Sequence, residues 1–380
     1  MSDDVVEKTL KLMNQQKEHN DLTEKEFFLK KKRVEKQYQD LKDGEKAIEE
    51  FKKIDLFSRD EERIKRVLQR QEEYFEGASE RIMFIDDLPW FNEVVPFFRK
   101  NLILIGAQSG DGKSTCLANI VSGMMQHGKK PFIISNEELE EDICSRVCAI
   151  TMGLNYANHD KLSSKDKALY RKAVDQLADK YLKIVDNTFD GIKGATTSIE
   201  GLGSLLENLY LKYKETGQAY DAILIDYYQR FNTSLANPSL PGWEILGKVS
   251  DILEHYRKVY PAPIVLFTQI KPQADEDDDN PFETRIKLGK AIFERATCII
   301  EMRPNKKDLS TQWFVHKNRF NTGSLKTPGI TGWERGKYVP YDEEFKRRVA
   351  ERNMERFKEQ QAAEAAKQSK PQGGNNDHKS

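Results

Sequence analysis

Cysteine is scarce in this chain: four in 380 residues, with no CxxC pair. That scarcity argues against a disulfide framework and against a zinc site built on paired thiolates. Cys144 and Cys148 stand four apart with no histidine close by, and isolated thiols of this kind behave as small hydrophobes. Long apolar runs are missing too, and none approaches the ~20 residues that cross a bilayer. The opening MSDDVVEKTL is acidic, whereas a secretory signal is basic and then apolar. A cytoplasmic protein with no membrane partner is expected. Charge of one sign is lacking as well: 61 Lys and Arg face 62 Asp and Glu, a formal net charge of -1. Any nucleic-acid site must then be a local basic patch, because the chain as a whole is not basic.

Helix breakers are absent from the front of the chain. The first proline is Pro89, and only Gly44 and Gly77 precede it among glycines. A stretch so poor in breakers and so rich in charge is expected to be helical over residues 1–82. Thr23 with Glu26 and Ser58 with Glu61 each read as a capping box, a hydroxyl acceptor three residues before a carboxylate. Phe51, Ile54, Phe57, Ile64 and Leu68 recur near helical spacing in a narrow stripe. Such a stripe suits docking on the main domain or on a neighbouring subunit rather than a core of its own.

From about residue 83 short apolar runs alternate with intervals long enough for helices. Asn101–Ile105, Pro131–Ser135, Ala222–Ile225, Ile264–Thr268 and Cys298–Met302 read as strands of a mostly parallel sheet covered on both faces. Thr311–Phe320 and Gly332–Val339 read as two later strands, an antiparallel pair flanking a glycine-bearing turn. An α/β core over residues 83–342 follows. Beyond it, a charged helix from Glu343 to about Gln361 leads into a polar tail, SKPQGGNNDHKS, whose composition predicts disorder. No internal repeat is present.

The most informative segment runs from Asn101 to Thr115. An apolar strand enters Ala107-Gln-Ser-Gly110-Asp-Gly112-Lys113-Ser114-Thr115, and a helical pattern leaves it. This is the [AG]-x4-G-K-[ST] phosphate loop in the context it requires. Ala107, Gly110, Gly112 and the residues to Thr115 supply backbone N–H groups that turn around a β-phosphate at a helix N-terminus. Lys113 reaches the β- and γ-phosphates, and the Ser114 hydroxyl ligates Mg2+. The bare pattern arises by chance in roughly a few per cent of chains this long. ATP with Mg2+ is the expected pair.

The remaining parts of a nucleotide hydrolase then fall at strand ends, the edge where open α/β sheets bind ligands. Asp226 closes the run Ala222-Ile-Leu-Ile and is placed to hold the Mg2+ shell. Glu137 follows the strand ending at Ser135, where a general base would polarise the attacking water. Glu138 is its competitor, and spacing does not separate them. Gln269 ends the strand Ile264–Thr268, where a polar amide can sense the γ-phosphate.

The set GAQSGDGKST, FIISNEE, ILIDYYQRF, IVLFTQIK and FVHKNRFNTG resembles, in order, the RecA-type core of DnaB-type replicative helicases, over residues 83 to 342. IDYYQRF is the most distinctive element, with Asp226, Tyr227 and Gln229 on the family's Asp-Tyr-x-Gln pattern. Ser135 and Glu137 fall on its Ser-x-Glu, which favours Glu137 as the base. Lys317 and Arg319 fall on its Lys-x-Arg strand, whose cations reach a neighbour's ATP site as arginine fingers. The resemblance implies a homohexameric ring that hydrolyses ATP, translocates on single-stranded DNA in replication, and meets a primase or helicase loader. Its setting would be a bacterial or phage-infected cell. The helical front part resembles neither the family's globular N-terminal domain nor a primase domain. The loop after Gln269, where the family binds DNA, carries five consecutive acids, Asp275 to Asp279, that repel phosphate. Lys271, Arg285 and Lys287 flank them, and the loop after Asp226 offers Arg230, Asn232, Thr233 and Ser234. A RecA-like recombination, repair or assembly ATPase that does not unwind DNA is the competing expectation. A non-enzymatic interaction protein on a degenerate nucleotide fold is a third, against which the intact Lys113, Ser114, Asp226 and Glu137 stand.

Overall fold

The chain divides into two units, Met1–Tyr74 and Phe75–Ser380. The computed structural model describes residues 100–154, 162–178, 182–186, 197–232, 234, 237–272, 282–286, 289–319 and 329–368 of the second. In the first it describes only the helical positions Gln39, Lys42, Lys46 and Lys65. The front capping boxes, the Phe51–Leu68 stripe, the acids at 275–279, Lys287, Thr233 and the SKPQGGNNDHKS tail all lie outside the described residues.

Nine strands form one sheet in the order β3-β2-β4-β5-β1-β6-β7-β8-β9. They are β1 Leu102–Ala107, β2 Pro131–Ser135, β3 Lys183–Val185, β4 Ala222–Asp226, β5 Ile264–Gln269, β6 Cys298–Asn305, β7 Ser310–Asn318, β8 Gly329–Glu334 and β9 Lys337–Pro340. Strands β3 to β6 of this order pair in parallel, and β6 to β9 pair antiparallel. The helices are α1 Lys113–Gln126, α2 Glu140–Thr151, α3 Ser164–Ala178, α4 Ile199–Thr216, α5 Gly242–Val259, α6 Phe282–Arg285, α7 Lys290–Arg295 and α8 Glu343–Gln368.

The core strands are apolar along their whole length because both faces are covered. Ile103, Ile105 and Ala107 of β1 pack with Leu117, Ile120 and Val121 of α1 and Val147 of α2. Leu102 and Leu104 pack on the other side with Leu202 and Leu206 of α4 and Val249 and Leu253 of α5. Alternate residues of one strand thus serve two helical layers. The cysteines sit in this packing: Cys116, Cys148 and Cys298 are buried and unbridged, and burial pushes the Cys298 thiol up to about 12.

One sequence expectation needs correction, and one strand is additional. Gly332–Val339 is not one strand. The pairing Glu334↔Lys337 leaves a two-residue loop, Arg335–Gly336, whose φ values of 52° and 87° are both left-handed. That is the type I′ hairpin geometry, with arginine where asparagine or aspartate is the usual cue. The short strand β3, Lys183–Val185, was not expected; three residues are too few for a periodicity signal.

The antiparallel edge carries a feature that sets the direction of its side chains. On β7, Thr311, Trp313 and Val315 are buried, the alternation a strand requires. Between Ile299 and Ile300 the β6–β7 register slips, so that Ile299 faces Lys317 while Ile300 faces Val315. The extra residue, His316, forms a β-bulge and inverts the alternation. Asn318 turns inward and is buried, whereas Lys317 is half-buried and Arg319 exposed. Without the bulge, 317 and 319 would share the inward face of 313 and 315.

Candidate active site

The carboxyl ends of β1, β2, β4 and β5 converge on one edge of the sheet, and every strand-end residue singled out in the sequence lies there. Between β1 and α1, Gly110 and Gly112 adopt φ values of 80° and 89°, a region that side chains with a Cβ avoid. Gly112 caps α1 without any side-chain hydrogen bond, and the first turn carries no acid. The first N–H groups of this 14-residue helix therefore take no side-chain cap and meet no acid of their own first turn, which leaves them for an anion.

Lys113 is buried and donates from Nζ to the carbonyl of Gln108 at 3.0 Å. Burial lowers its pKa, and Asp226, Glu137 and Asp111 pull in the opposite direction. Ser114 Oγ donates to Asp226 Oδ2 at 3.1 Å. Asp226 is buried at the tip of β4, and its other oxygen, Oδ1, has no hydrogen-bond partner among the described residues. Burial pushes its carboxyl up to about 6, reinforced by Glu138 and Glu137 and opposed by Ser114 and Lys113. A buried carboxylate oxygen left without a donor is costly. A hard cation bound by oxygens would complete it, so the Ser114–Asp226 pair fits the Mg2+ that a phosphate loop implies.

The two candidate bases are treated differently by the fold. Glu138 is tied down: Arg146 of α2 donates to its Oε1 at 2.8 Å, and its backbone is latched to Ser135 Oγ in both directions. Glu137 stands half-exposed and takes a single contact at Oε1 from Arg230 Nη2, 3.2 Å away. Both acids raise the pKa of Asp226, Glu138 more than Glu137, and Glu137 also acts on Lys113.

Gln229 connects β4 to β5. Its Nε2 donates to Thr268 Oγ1 at 2.7 Å and to the Gln269 carbonyl at 2.9 Å, and its Oε1 accepts from Gln269 N at 2.9 Å. The amide thereby splints the ends of two adjacent strands, with Gln269 carried on the second. In the sequence Gln229 was visible as a motif position, and its chemical task was not. Tyr227 was likewise visible only as a motif position: Lys113 Nζ lies 5.7 Å and Arg230 Cζ 5.5 Å from its ring centroid.

Lys317 and Arg319 lie on the opposite flank of β1, beyond β6. Lys317 Nζ donates to the carbonyls of Phe293 and Glu294 at 2.8 and 3.0 Å, and Arg319 Nη2 donates to that of Glu294 at 3.1 Å. Both cations cap the end of α7, and the structure does not bring them to Lys113 of the same chain. Two expected DNA contacts are corrected. Arg285 is buried with its guanidinium 2.7 Å from Glu301 Oε1. Ser234 Oγ donates to Glu200 at 2.7 Å. Lys271 remains exposed. Among the described residues, no helix is long and apolar enough to cross a membrane.

A parallel sheet with an extended antiparallel edge, its phosphate loop after β1 and its acid at the end of β4, defines a RecA-type P-loop nucleotide-binding domain. The comparisons with known proteins agree. The chain belongs to the DnaB-like helicase C terminal domain family, whose model matches residues 87–327. It is 24% identical over 209 residues to the replicative DNA helicase DnaB of Helicobacter pylori, an alignment covering 54% of this chain and 40% of that protein. Among solved structures it is similar to an isolated ATPase domain, with a TM-score of 0.59 and 15% identity over 73% of this chain and 99% of that one. It is also similar to a DnaB-like replicative helicase studied for its interactions with primase, with a TM-score of 0.56 and 16% identity over 83% and 78% of the two chains.

Proposed function

We propose that this chain is the ATP-hydrolysing motor of a ring-forming DNA helicase that moves on single-stranded DNA in replication. The observation that carries the reading is the Ser114–Asp226 contact with an orphaned Asp226 oxygen beside Lys113. In this reading the N–H groups from Ala107 through Gly110, Gly112 and Thr115 cradle the phosphates, and Lys113 neutralises the β- and γ-oxygens. Ser114 and Asp226 hold Mg2+, which when bound withdraws charge from the phosphate oxygens. Glu137 accepts a proton from water as that water attacks the γ-phosphorus and the bond to ADP breaks. Gln269, splinted to β4 by Gln229, senses whether the γ-phosphate is present.

Lys317 and Arg319, held at the end of α7 away from their own phosphate loop, suit a neighbour's site. A homohexameric ring completes six such sites by rotation. In this organisation residues 1–82 form a charged helical extension, 83–342 the ATPase core and 343–380 a charged helix and tail. A primase or a helicase loader is the partner class for such a ring, and a bacterial or phage-infected cytoplasm is its setting.

The experiment is phosphate release from Mg-ATP by the full chain, with and without oligodeoxythymidylate, alongside strand displacement from a forked duplex. Stimulation by DNA together with displaced strand is expected. Absence of phosphate release from any nucleoside triphosphate, with or without polynucleotide, removes the ATPase itself. Hydrolysis indifferent to DNA, with no strand displaced, selects instead a RecA-like recombination, repair or assembly ATPase. That second reading is favoured by the acids at 275–279 and by the engagement of Arg285 with Glu301.

A further inference from the structure

The turn that leaves β4, Tyr228–Arg230, is held by the fold on both sides of one residue. Tyr228 is fully buried, its hydroxyl donating to the Leu246 carbonyl and lying 2.9 Å from Ser250 Oγ. Gln229 is splinted to β5, and Phe231 is buried. Arg230 between them sends its side chain back toward the phosphate loop, over the Tyr227 ring and onto Glu137. Glu137 is framed in a similar way. Asn136 N donates to the Asp226 carbonyl at 2.7 Å, Ser135 is latched to Glu138, and Glu138 is paired with Arg146. Two rigid pieces of backbone therefore aim two solvent-reachable side chains at one another.

We propose that Arg230 is a positioning residue that holds Glu137 off the attacking water until a phosphate of a bound polynucleotide takes the guanidinium. The proposal rests on the reading of Glu137 as the general base. A carboxylate oxygen that accepts a charged hydrogen bond has less capacity to take a proton from water. The pair is weak enough to be exchanged, because the side chains are 46% and 41% exposed and joined through one oxygen only. A phosphodiester offers a guanidinium two oxygens in the planar fork it matches best. Arg230 also ends the turn that leaves β4 and is exposed there. A strand of DNA reaching that edge of the sheet meets the cation which, in its absence, occupies the base. Binding of polynucleotide and release of Glu137 are then one exchange of partners.

The test is steady-state ATP hydrolysis by the full chain, comparing wild type with Arg230→Ala, Arg230→Lys, Glu137→Gln and the Ala/Gln double variant, each with and without oligodeoxythymidylate. Arg230→Ala is expected to raise the DNA-free kcat roughly two- to five-fold, the range of an exposed ion pair. KM for Mg-ATP should be unchanged, and the ratio of DNA-stimulated to DNA-free rate should fall by the same factor. Arg230→Lys falls between, and the double variant is inactive. A DNA-free rate at or below wild type in Arg230→Ala and Arg230→Lys, with unaltered thermal melting, overturns the proposal, as does a stimulation ratio that survives the substitution. Should Glu137→Gln itself hydrolyse ATP at the wild-type rate, the assignment of the base has failed rather than the brake alone.

Discussion

At the scale of single residues, the site depends on how burial and charge divide among four groups. Burial lowers the Lys113 pKa while Asp226, Glu137 and Asp111 oppose that shift, and loss of Lys113 removes the one cation that the phosphate loop itself carries. Lys113→Ala is expected to reduce phosphate release to background, whereas Glu137→Gln should keep Mg-ATP binding within about threefold and lower kcat by a factor of about a hundred or more. Fluorescent-nucleotide titration beside turnover separates the two. Asp226 adds a pH dependence. Its carboxyl is pushed up to about 6 mainly by burial, and only the ionised form can ligate a cation. Mg-ATP affinity should therefore hold above that pH and fall by about tenfold per unit below it. Calorimetry in buffers of different ionisation enthalpy should show proton release on binding near pH 6 and little at pH 8. The phosphate-loop residues were legible in the sequence because each is a fixed step from a glycine pattern. Arg285 was misjudged, and the Arg230–Glu137 pair was not foreseen, because an arginine in a polar loop gives no sign of which acid it meets across the sheet.

At the scale of elements, the strands of the parallel core other than β3 were readable from apolar runs, with ends within three residues. What composition could not supply was direction. One extra residue, His316, reverses the faces of everything after it on β7. The same bulge brings His316 Nε2 to 2.8 Å from Glu301, a fully buried carboxylate that also meets Arg285 and Arg303 at 2.7 and 2.9 Å. Burial alone would raise the Glu301 pKa, but hydrogen bonds from His316, Arg303 and Arg285 override it and hold the carboxyl at about 2. A depressed acid contributes stability that is present above its unfolded value and is lost as pH falls through the folded one. Glu301→Gln should cost about 3 kcal/mol near pH 7, because two or three cations then lose a buried partner. The difference in melting temperature between wild type and variant should shrink between about pH 4.5 and 2. A constant gap across that range would mean that shape, not charge, holds the cluster.

At the scale of the whole molecule, the phosphate loop and the cations Lys317 and Arg319 lie on different flanks of one sheet, and neither completes the other within the chain. Mixing experiments address this directly. Arg319→Ala and Lys113→Ala subunits, each inactive alone, should regain part of the wild-type rate when combined, since some interfaces then pair an intact loop with an intact arginine. No recovery at any ratio, with assemblies of normal size by light scattering, would exclude a shared site. The sequence pointed to such an assembly only through a Lys-x-Arg motif. Nothing in its charge balance does so, because 61 cations and 62 anions cancel on average and leave the local arrangement invisible.

The hairpin β8–β9 bears on where this unit ends. Asn119, in the middle of the helix that begins at Lys113, donates to the carbonyls of Thr115 and Gly336 at 2.8 Å each and accepts from Tyr338 N at 2.9 Å. Tyr338 in turn is buried beside Trp313 and Cys116. The wall behind the phosphate-loop helix is thus built from residues more than two hundred positions downstream of it. A fragment stopped at 327, where the family match ends, would leave that helix with an open slot and an amide facing solvent. Limited proteolysis of fragments ending at 327 and at 342 should find the shorter one cut within α1 and the longer one resistant there.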